Sequence, residues 1–178
     1  AFYRKYVAGC ENIQLVTTGA LIGVRESRRV VGEYELTIDD YMARRQFPDQ
    51  IAVFNKAVDI HPYDCTEEAY QKYYEEYEKT GRLDEGECFG IPYSILVPKG
   101  WKNLWVAGRC TSSDVAVNGS IRVQPAAAMT GQAAGTAAVQ SMNTGQAAND
   151  LDTDQLVRTL READAFLPQS QTCKTMTR

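Results

Sequence analysis

The chain has 178 residues, a formal net charge of −4, and 44% hydrophobic and 24% charged residues. This composition is ordinary for a folded globular domain, and an acidic balance without a long basic run argues against general nucleic-acid binding. No stretch approaches the ~18 continuous apolar residues of a membrane-spanning helix, because polar residues interrupt the one candidate at 125–141. We therefore expect neither nucleic acid nor a membrane among its partners.

The five cysteines are scattered singly along the chain, at Cys10, Cys65, Cys88, Cys110 and Cys173. No C-x-x-C pair occurs, so the spacing indicates neither a zinc site nor a redox-active dithiol. An odd, scattered set is more typical of reduced thiols than of a disulfide framework. We therefore expect no metal site and a reducing, cytoplasmic setting.

Alternating apolar residues predict two extended strands between residues 13 and 36. Ile13 and Leu15 share one face of the first run, and Ile22 and Val24 share one face of the second. The charged cluster RESRR at 25–29 then interrupts the second run. It is either a solvated strand end or, alternatively, a cationic lining for an anionic substrate or a cofactor oxygen, which arginine binds bidentately.

The segment TIDD at 37–40 has the pattern of a capping box and predicts a short helix that runs through Arg45. Residues 51–59 predict a further strand. His61 follows it and is the only histidine in the sequence. Histidine is the side chain type that most readily exchanges a proton near neutral pH. In this loop it is either a structural hydrogen-bonding residue or a catalytic acid or base.

Residues 67–79, EEAYQKYYEEYEK, have tyrosines at helical spacing, which predicts an amphipathic helix. A tyrosine stripe is typically a packing face with its hydroxyls at the margin. Residues 91–97 predict a strand, and a turn at 98–100 leads into a second apolar run at 103–107. That run ends in Gly108 and is short and apolar throughout, as expected for a strand buried on both faces.

Pro125 opens a predicted helix that extends to about Ser141 and consists almost wholly of small residues. Gly131 and Gly135 lie on one face, where another backbone or a flat ligand could approach closely. The simpler interpretation is a tightly packed core helix that is covered from more than one direction. Asp152 is then expected to cap a last helix.

Several segments together resemble one known family. They are VRESRRVVGEYELT at 24–37, IPYSILVPKG at 91–100, and NLWVAGRC at 103–110 followed by GSIRVQPAAAMTGQAAGTAA at 119–138. They resemble FAD-dependent oxidoreductases, bacterial members in particular, and more loosely the glutathione-reductase-like and fumarate-reductase-like flavoproteins. The resemblance covers most of residues 20–165. It implies an enzyme that passes a hydride between the flavin and a small-molecule substrate, with an anionic substrate left open as an alternative.

The fold that this resemblance implies is α+β, as a fragment of a two-domain FAD/NAD(P)-binding fold. Residues 1–100 would form part of a mixed-sheet substrate domain, with a helical insertion at about 66–80. Residues 101–145 would form the last strand, loop and helix of the FAD-binding domain, and residues 146–178 a C-terminal helix and tail. The sequence contains no G-x-G-x-x-G turn to hold a pyrophosphate, so we expect a C-terminal portion that lacks the nucleotide-binding half.

The resemblance also implies which residues contact the cofactor. Gly108 would allow close approach of FAD, and Arg109 would lie near its ribityl or phosphate part. Arg122, Val123 and Gln124 would present backbone N–H groups to the N1/O2 edge of the flavin. That edge becomes anionic on reduction, which the positive end of the following helix would favour.

His61 and Arg28 are the candidate catalytic residues. His61 is chosen because family members carry a similar segment near the substrate, and Arg28 belongs to the cationic cluster at 25–29. The loop TSSDV at 111–115 lacks the histidine that many relatives carry there, so we assign it no acid–base role.

Two other functions remain open on the sequence. The chain could be a non-enzymatic fragment or interaction domain that binds no cofactor by itself, or an arginine-lined receptor for small anions built on residues 25–29. Without a pyrophosphate anchor, we expect the isolated chain to bind FAD weakly or not at all. The apolar run at 103–107 and the small-residue helix would lack cover, so we also expect self-association, strand exchange or partial disorder.

Overall fold

The computed structural model describes residues 1–62, 64, 66–79 and 81–168. Within these residues the chain is α+β and mostly helical, with one small sheet. The helices are α1 (Phe2–Tyr6), α2 (Ile38–Met42), α3 (Glu67–Tyr73), α4 (Val115–Ile121), α5 (Gln124–Thr144) and α6 (Thr153–Glu162). A π-helical turn, Tyr74–Lys79, continues α3, and short 3-10 turns lie at Tyr93–Leu96, Gly108–Cys110 and Ala148–Asp150. The division into two domains stays a prediction.

The sheet consists of two antiparallel strands, β1 (Gln50–Phe54) and β2 (Phe89–Pro92). Ala52 pairs with Ile91 and Phe54 pairs with Phe89. The strand predicted at 51–59 is thus confirmed over 51–54, and the one predicted at 91–97 is confirmed only over 91–92. After β2 the chain turns into a 3-10 helix, which keeps its apolar side chains in the core without extending the ladder.

The two strands predicted between residues 13 and 36 do not form. In the described residues this region makes only isolated bridges, from Gly32 to Pro98 and from Leu36 to Ser113. Several large apolar side chains before residue 25 are exposed: Leu15 by 81%, Val16 by 93%, Leu21 by 90% and Ile22 by 89%. A strand needs a neighbouring backbone for its N–H and C=O groups, and alternation in the sequence does not supply one.

The predicted buried strand at 103–107 is also wrong. Leu104 is 38% exposed, and the segment is held by single contacts rather than by a ladder. Val106 N–H donates to the Leu96 carbonyl at 2.8 Å. Trp105 Nε1 donates to Tyr93 Oη at 2.7 Å. Burial raises the pKa of Tyr93 to about 12, so this hydroxyl stays protonated as an anchor for Trp105.

Helix α5 has one buried face and one open face. Ala126, Ala133 and Ala137 are fully buried on the side that packs against β1. Gly131 and Gly135 are exposed, and a Cβ built on either would meet nothing within 4 Å. The simpler interpretation of a tightly packed core helix, with both glycines in packing contacts, is therefore wrong within this chain, whereas an open face is what the expectation of missing cover predicts. Small side chains pack equally well on any side, so residue size alone does not reveal the buried face.

The helix predicted at 67–79 is confirmed as α3 followed by the π-helical turn. Its tyrosine stripe is a packing face only in part. Tyr77 packs against the core, whereas Tyr70 and Tyr74 are 53% and 43% exposed.

The cysteines differ from the expectation of reduced thiols. Cys88 is disulfide-bonded, whereas Cys10 and Cys110 are free. The remaining two cysteines lie outside the described residues. Disulfides form and persist mainly in oxidising compartments, so Cys88 weighs against a reducing setting. No helix in the described part of the chain is long and apolar enough to cross a bilayer.

The predicted helix starts depend on side-chain caps that the structure confirms. At α6, Asp152 Oδ1 accepts the Gln155 N–H at 2.9 Å. At α2, Thr37 and Asp40 form a reciprocal capping box. Such caps satisfy backbone donors that the first helical turn cannot pair internally.

Asp40 is the buried centre of a hydrogen-bond network at α2. Its carboxylate accepts from Thr37 N–H at 3.0 Å, from Tyr34 Oη at 2.8 Å and from Arg45 Nη1 at 2.8 Å. The helix ends at Met42, earlier than the predicted end at Arg45, and Arg45 turns back onto Asp40. Burial raises the pKa of the Asp40 carboxyl, but the hydrogen bonds from Thr37, Arg45 and Tyr34 together hold it below its usual value.

Asp40→Asn should lower the free energy of unfolding by about 1–3 kcal/mol at neutral pH, because the buried partners lose a charged acceptor. A carboxyl whose pKa is lower in the folded state stabilises fully above its unfolded pKa and loses that contribution as the pH falls through the folded pKa. The difference between Asp40→Asn and the unchanged protein should therefore shrink below about pH 4. Urea unfolding at neutral pH and below about pH 4 measures this difference in the free energy of unfolding. Asp39→Asn, an exposed neighbour, is the control, and equal losses from both changes would contradict the network.

Candidate functional site

Two carboxylates near the His61 loop are each shared between two cations. Asp59 is the first of them. Its Oδ2 lies 2.5 Å from Arg25 Nη2 and 3.8 Å from Lys56 Nζ. The side chains of Arg25 and Asp59 are 53% and 38% exposed, so water screens this pair in part.

Glu26 is the second shared carboxylate, and it lies deeper. Arg29 Nη1 is 3.2 Å from its Oε1, and Arg122 Nη1 is 2.9 Å from its Oε2. The Arg122 side chain is only 8% exposed. Its Nη2 donates to the Asp59 carbonyl at 2.6 Å, while its Nε has no hydrogen-bond partner among the described residues. Arg122 therefore joins the segment at 25–29 to the loop before His61.

These charges border a cavity of about 270 Å³, which we call the His61 cavity. It is lined by three of the charged side chains just described, by the histidine and by two apolar side chains: Arg25, Glu26, Arg122, His61, Ile60 and Val115. Arg25 Nη1 lies 3.4 Å from His61 Nε2, and His61 itself is exposed. An anion that enters the cavity would thus meet two guanidinium groups and aliphatic carbon, with the Glu26 carboxylate also in the lining.

Helix α4 positions the loop that carries His61. Ser120 Oγ donates to the Lys56 carbonyl at 2.6 Å. Gly119 allows the chain to pass directly against the helix, because a Cβ at this position would lie 2.6 Å from Ile60 Cγ2 and 3.0 Å from the Asp59 carbonyl oxygen. A side chain at Gly119 would push the His61 loop outward.

Asp114 caps α4 and fastens it to α2. Its Oδ1 accepts the Val117 N–H at 2.8 Å, and its Oδ2 accepts the Ile38 N–H at 2.5 Å. The residues before it pair with the N-terminal segment, since Leu36 N–H donates to the Ser112 carbonyl at 3.2 Å. In the loop at 111–115, this chain therefore uses a carboxylate to hold two helix starts.

Gly108 and Arg109 lie beside the first turns of α5. Gly108 has a left-handed φ of 70°, and its N–H donates to Thr130 Oγ1 at 3.0 Å. Thr130 in turn donates to the Ala126 carbonyl at 2.8 Å. Arg109 is exposed, and its carbonyl accepts from Asn118 Nδ2 at 3.3 Å. The backbone that follows the apolar run is thus fixed against α5, while the Arg109 side chain is free to meet a ligand.

The start of α5 is open. Val123 is its N-cap, no side chain caps it, and the Val123 N–H has no hydrogen-bond partner in the described part of the chain. Gln124 and Pro125 are exposed. Open N–H groups at the positive end of a long helix are a suitable environment for an anionic ligand edge. These residues therefore fit the N1/O2 edge of a flavin.

One predicted flavin contact needs correction. The Arg122 N–H donates to the Asn118 carbonyl at 2.9 Å, because Arg122 closes the last turn of α4. Its backbone is thus committed within the helix, and its side chain serves the His61 cavity. The donors open to a flavin are those of Val123 and Gln124.

The structure brings some predicted site residues together and leaves one apart. His61 and Arg122 line the same cavity, and Arg122 leads directly into the start of α5. Arg28 is exposed, does not line the cavity, and makes no hydrogen bond or ion pair with the residues that the structure describes. Sequence reasoning missed Asp59 and Gly119. A carboxylate two residues before a lone histidine, and a glycine between Asn118 and Ser120, were the available signals.

Comparison with known proteins connects this geometry to a family. A model of the family described as FAD dependent oxidoreductase matches residues 1–160. None of the curated proteins and none of the solved structures compared with the chain matches it. The matched range contains the His61 cavity, the Gly108 turn and the open start of α5.

Gly119→Ala should destabilise the protein by about 1–3 kcal/mol, because the new methyl group would overlap Ile60 and the Asp59 carbonyl. Gly131→Ala is the matched control, since the same change at an open helix position should stabilise by about 0.5–1 kcal/mol. Urea unfolding measures both changes. The imidazole NMR signal of His61 should move in Gly119→Ala only. Equal stabilisation by the two changes would show that α4 does not position the His61 loop.

Proposed function

The chain belongs to the FAD dependent oxidoreductase family, and we propose that it supplies the flavin-edge and substrate-side residues of an enzyme that transfers hydride between FAD and a small molecule. The observation that supports this most is the continuity through Arg122. Its side chain lines the His61 cavity, and the two residues after it begin the open N-terminus of α5. A substrate in the cavity and a cofactor edge at α5 would be neighbours.

On the cofactor side, the chain contributes orientation and electrostatics. The N–H groups of Val123 and Gln124 and the dipole of α5 favour negative charge at the flavin edge, which lowers the cost of reduction. The positive φ of Gly108 turns the chain beside α5 with no side chain in the way. Arg109 extends from that turn toward the ribityl or phosphate part. FAD, when bound, supplies the hydride donor or acceptor.

On the substrate side, His61 is the proposed acid or base. Its imidazole lines the cavity, and the Arg25 guanidinium next to it can hold an anionic group of the substrate. Arg28 stays the second predicted catalytic residue. It lies in the same charged segment as Arg25. Because Arg28 does not line the cavity, a role in catalysis requires that it contact a part of the substrate that extends beyond the cavity.

A second proposed function is to bind other protein surfaces through exposed apolar side chains. The apolar side chains exposed before residue 25 and the open face of α5 expose more carbon than scattered surface residues usually do. We propose that a nucleotide-binding part bearing the pyrophosphate site covers the α5 face, and that the N-terminal segment self-associates. A cytoplasmic location stays a prediction, which the disulfide at Cys88 opposes.

Titration of the ¹⁵N-labelled chain with FAD tests the cofactor site. Amide signals of Gly108, Val123 and Gln124 should shift, and binding should be weak, without saturation at one equivalent, because no pyrophosphate-binding turn is present. The start of α6 is an internal control, since Asp152 already caps it. Equal shifts at both helix starts would contradict a specific flavin edge, and tight stoichiometric binding would contradict the predicted weakness.

Light scattering over a range of protein concentrations tests self-association. The average mass should rise with concentration, and replacement of Leu21 and Ile22 by serine should return it toward the monomer because 90% and 89% exposed side chains lose their apolar surface. Met142→Ser on the open face of α5 is the comparison. If only Met142→Ser restores the monomer, the contact involves α5 instead. A constant monomer mass would exclude self-association.

A further inference from the structure

We propose that the His61 cavity binds a small organic carboxylate, with the carboxylate group between Arg25 and Arg122 and the carbon body against Ile60 and Val115. This names the substrate class of the site, and it rests on the proposed function only in treating the cavity as the substrate side. Binding itself requires no flavin.

The charges around the cavity do not cancel. Four cationic side chains share just two carboxylates, and the contacting groups are Arg25 and Lys56 on Asp59, and Arg29 and Arg122 on Glu26. Of these six side chains, Arg25, Arg122 and Glu26 line the cavity itself, so its lining carries an excess of one positive charge. Glu78, which interacts electrostatically with Asp59, is itself paired with Arg82 at 2.8 Å. An incoming anion would therefore restore the charge balance, and partial burial keeps the attraction from being fully screened.

The two arginines that line the cavity differ in what they offer a ligand. Arg25 uses Nη2 on Asp59, while its Nη1 faces the His61 ring, and its side chain is 53% exposed. Arg122 is more than nine-tenths buried, and its Nε–H, which has no partner among the described residues, is itself closed to solvent. A carboxylate can therefore meet the planar donors of Arg25 directly, while Arg122 attracts it through its charge.

The size and the walls of the cavity select among anions. A volume of about 270 Å³ lies below the roughly 300–1,000 Å³ of pockets for drug-sized ligands, which points to a molecule with few heavy atoms. Ile60 and Val115 contribute aliphatic surface. A phosphate or sulfate would leave that surface in contact with water, whereas a carboxylate with a short aliphatic chain would cover it.

His61 provides a direct reporter because it is the only histidine in the chain. The 178-residue chain is titrated with butyrate at fixed pH and constant ionic strength, and the imidazole C–H signal is followed by NMR. Butyramide, which has the same shape without the charge, and sodium chloride are the ligand controls. Butyrate should shift the signal saturably, and butyramide should bind at least about tenfold more weakly, since one charged hydrogen-bonded contact is typically worth that much.

Variants test whether Arg25 is responsible for butyrate binding. Arg25→Gln should weaken butyrate binding about tenfold or more, and Arg25→Lys, which keeps the charge, should retain part of it. Arg158→Gln, an exposed arginine on α6, should leave binding unchanged. The amide spectrum checks the fold of each variant. If Arg25→Gln does not fold, Arg25→Lys and the methyl signals of Ile60 and Val115 provide the test.

The proposal is overturned if butyrate causes no saturable shift, if butyramide or chloride reproduces it, or if Arg25→Gln and Arg158→Gln bind equally well. A shift of the Ile60 and Val115 methyl signals together with His61 supports it. Because no flavin is present, the result stands apart from the FAD titration. Carboxylate binding without flavin shifts would leave an anion receptor, and flavin shifts without carboxylate binding would leave the enzyme with another substrate class.

Discussion

The buried guanidinium of Arg122 is the contact on which the site depends. It connects Glu26 in the N-terminal segment, the Asp59 carbonyl in the His61 loop and the end of α4. Removing one partner of a buried ion pair typically costs about 3–5 kcal/mol, because the other charge is left without compensation. The three segments are far apart in sequence. The N-terminal segment is also held by Arg29 Nε, which donates to the Ser113 carbonyl at 2.9 Å, and by the Val30 N–H, which donates to the Cys110 carbonyl at 3.0 Å. Arg122 therefore acts together with these contacts in placing residues 25–29 beside the cavity.

Helix α4 transmits this constraint to the cofactor side. Asp114 fixes its start against α2, Gly119 and Ser120 hold the His61 loop, and Arg122 closes its end. The next residue begins α5, whose open N–H groups are suited to a flavin edge. A short helix, capped at one end by Asp114 and held at the other by Arg122, thus lies between the two proposed ligand sites.

The parts that sequence reasoning predicted are those encoded locally. The capping box of Thr37 and Asp40, the cap at Asp152 and the helix at 67–79 each depend on neighbouring residues, and the structure contains all of them. The strands at 13–36 and 103–107 failed because a strand is completed by backbone from elsewhere, which alternation does not reveal. Which face of α5 is open could not be predicted for a related reason, since small residues carry no sign of which side is covered.

Only parts of the site could be predicted from the sequence, where a single residue or the family resemblance was informative. A lone histidine drew attention to His61, and the family resemblance drew it to residues 122–124. The cavity is assembled from side chains at 25–26, 60–61, 115 and 122, so the pairing of each carboxylate with two cations could not be read from spacing along the chain. Because two cations share each carboxylate, the local charge differs in sign from the net charge of the whole chain. Although the whole chain is acidic, with a net charge of −4, its cavity carries an excess of positive charge and can attract an anion against the sign of the protein as a whole.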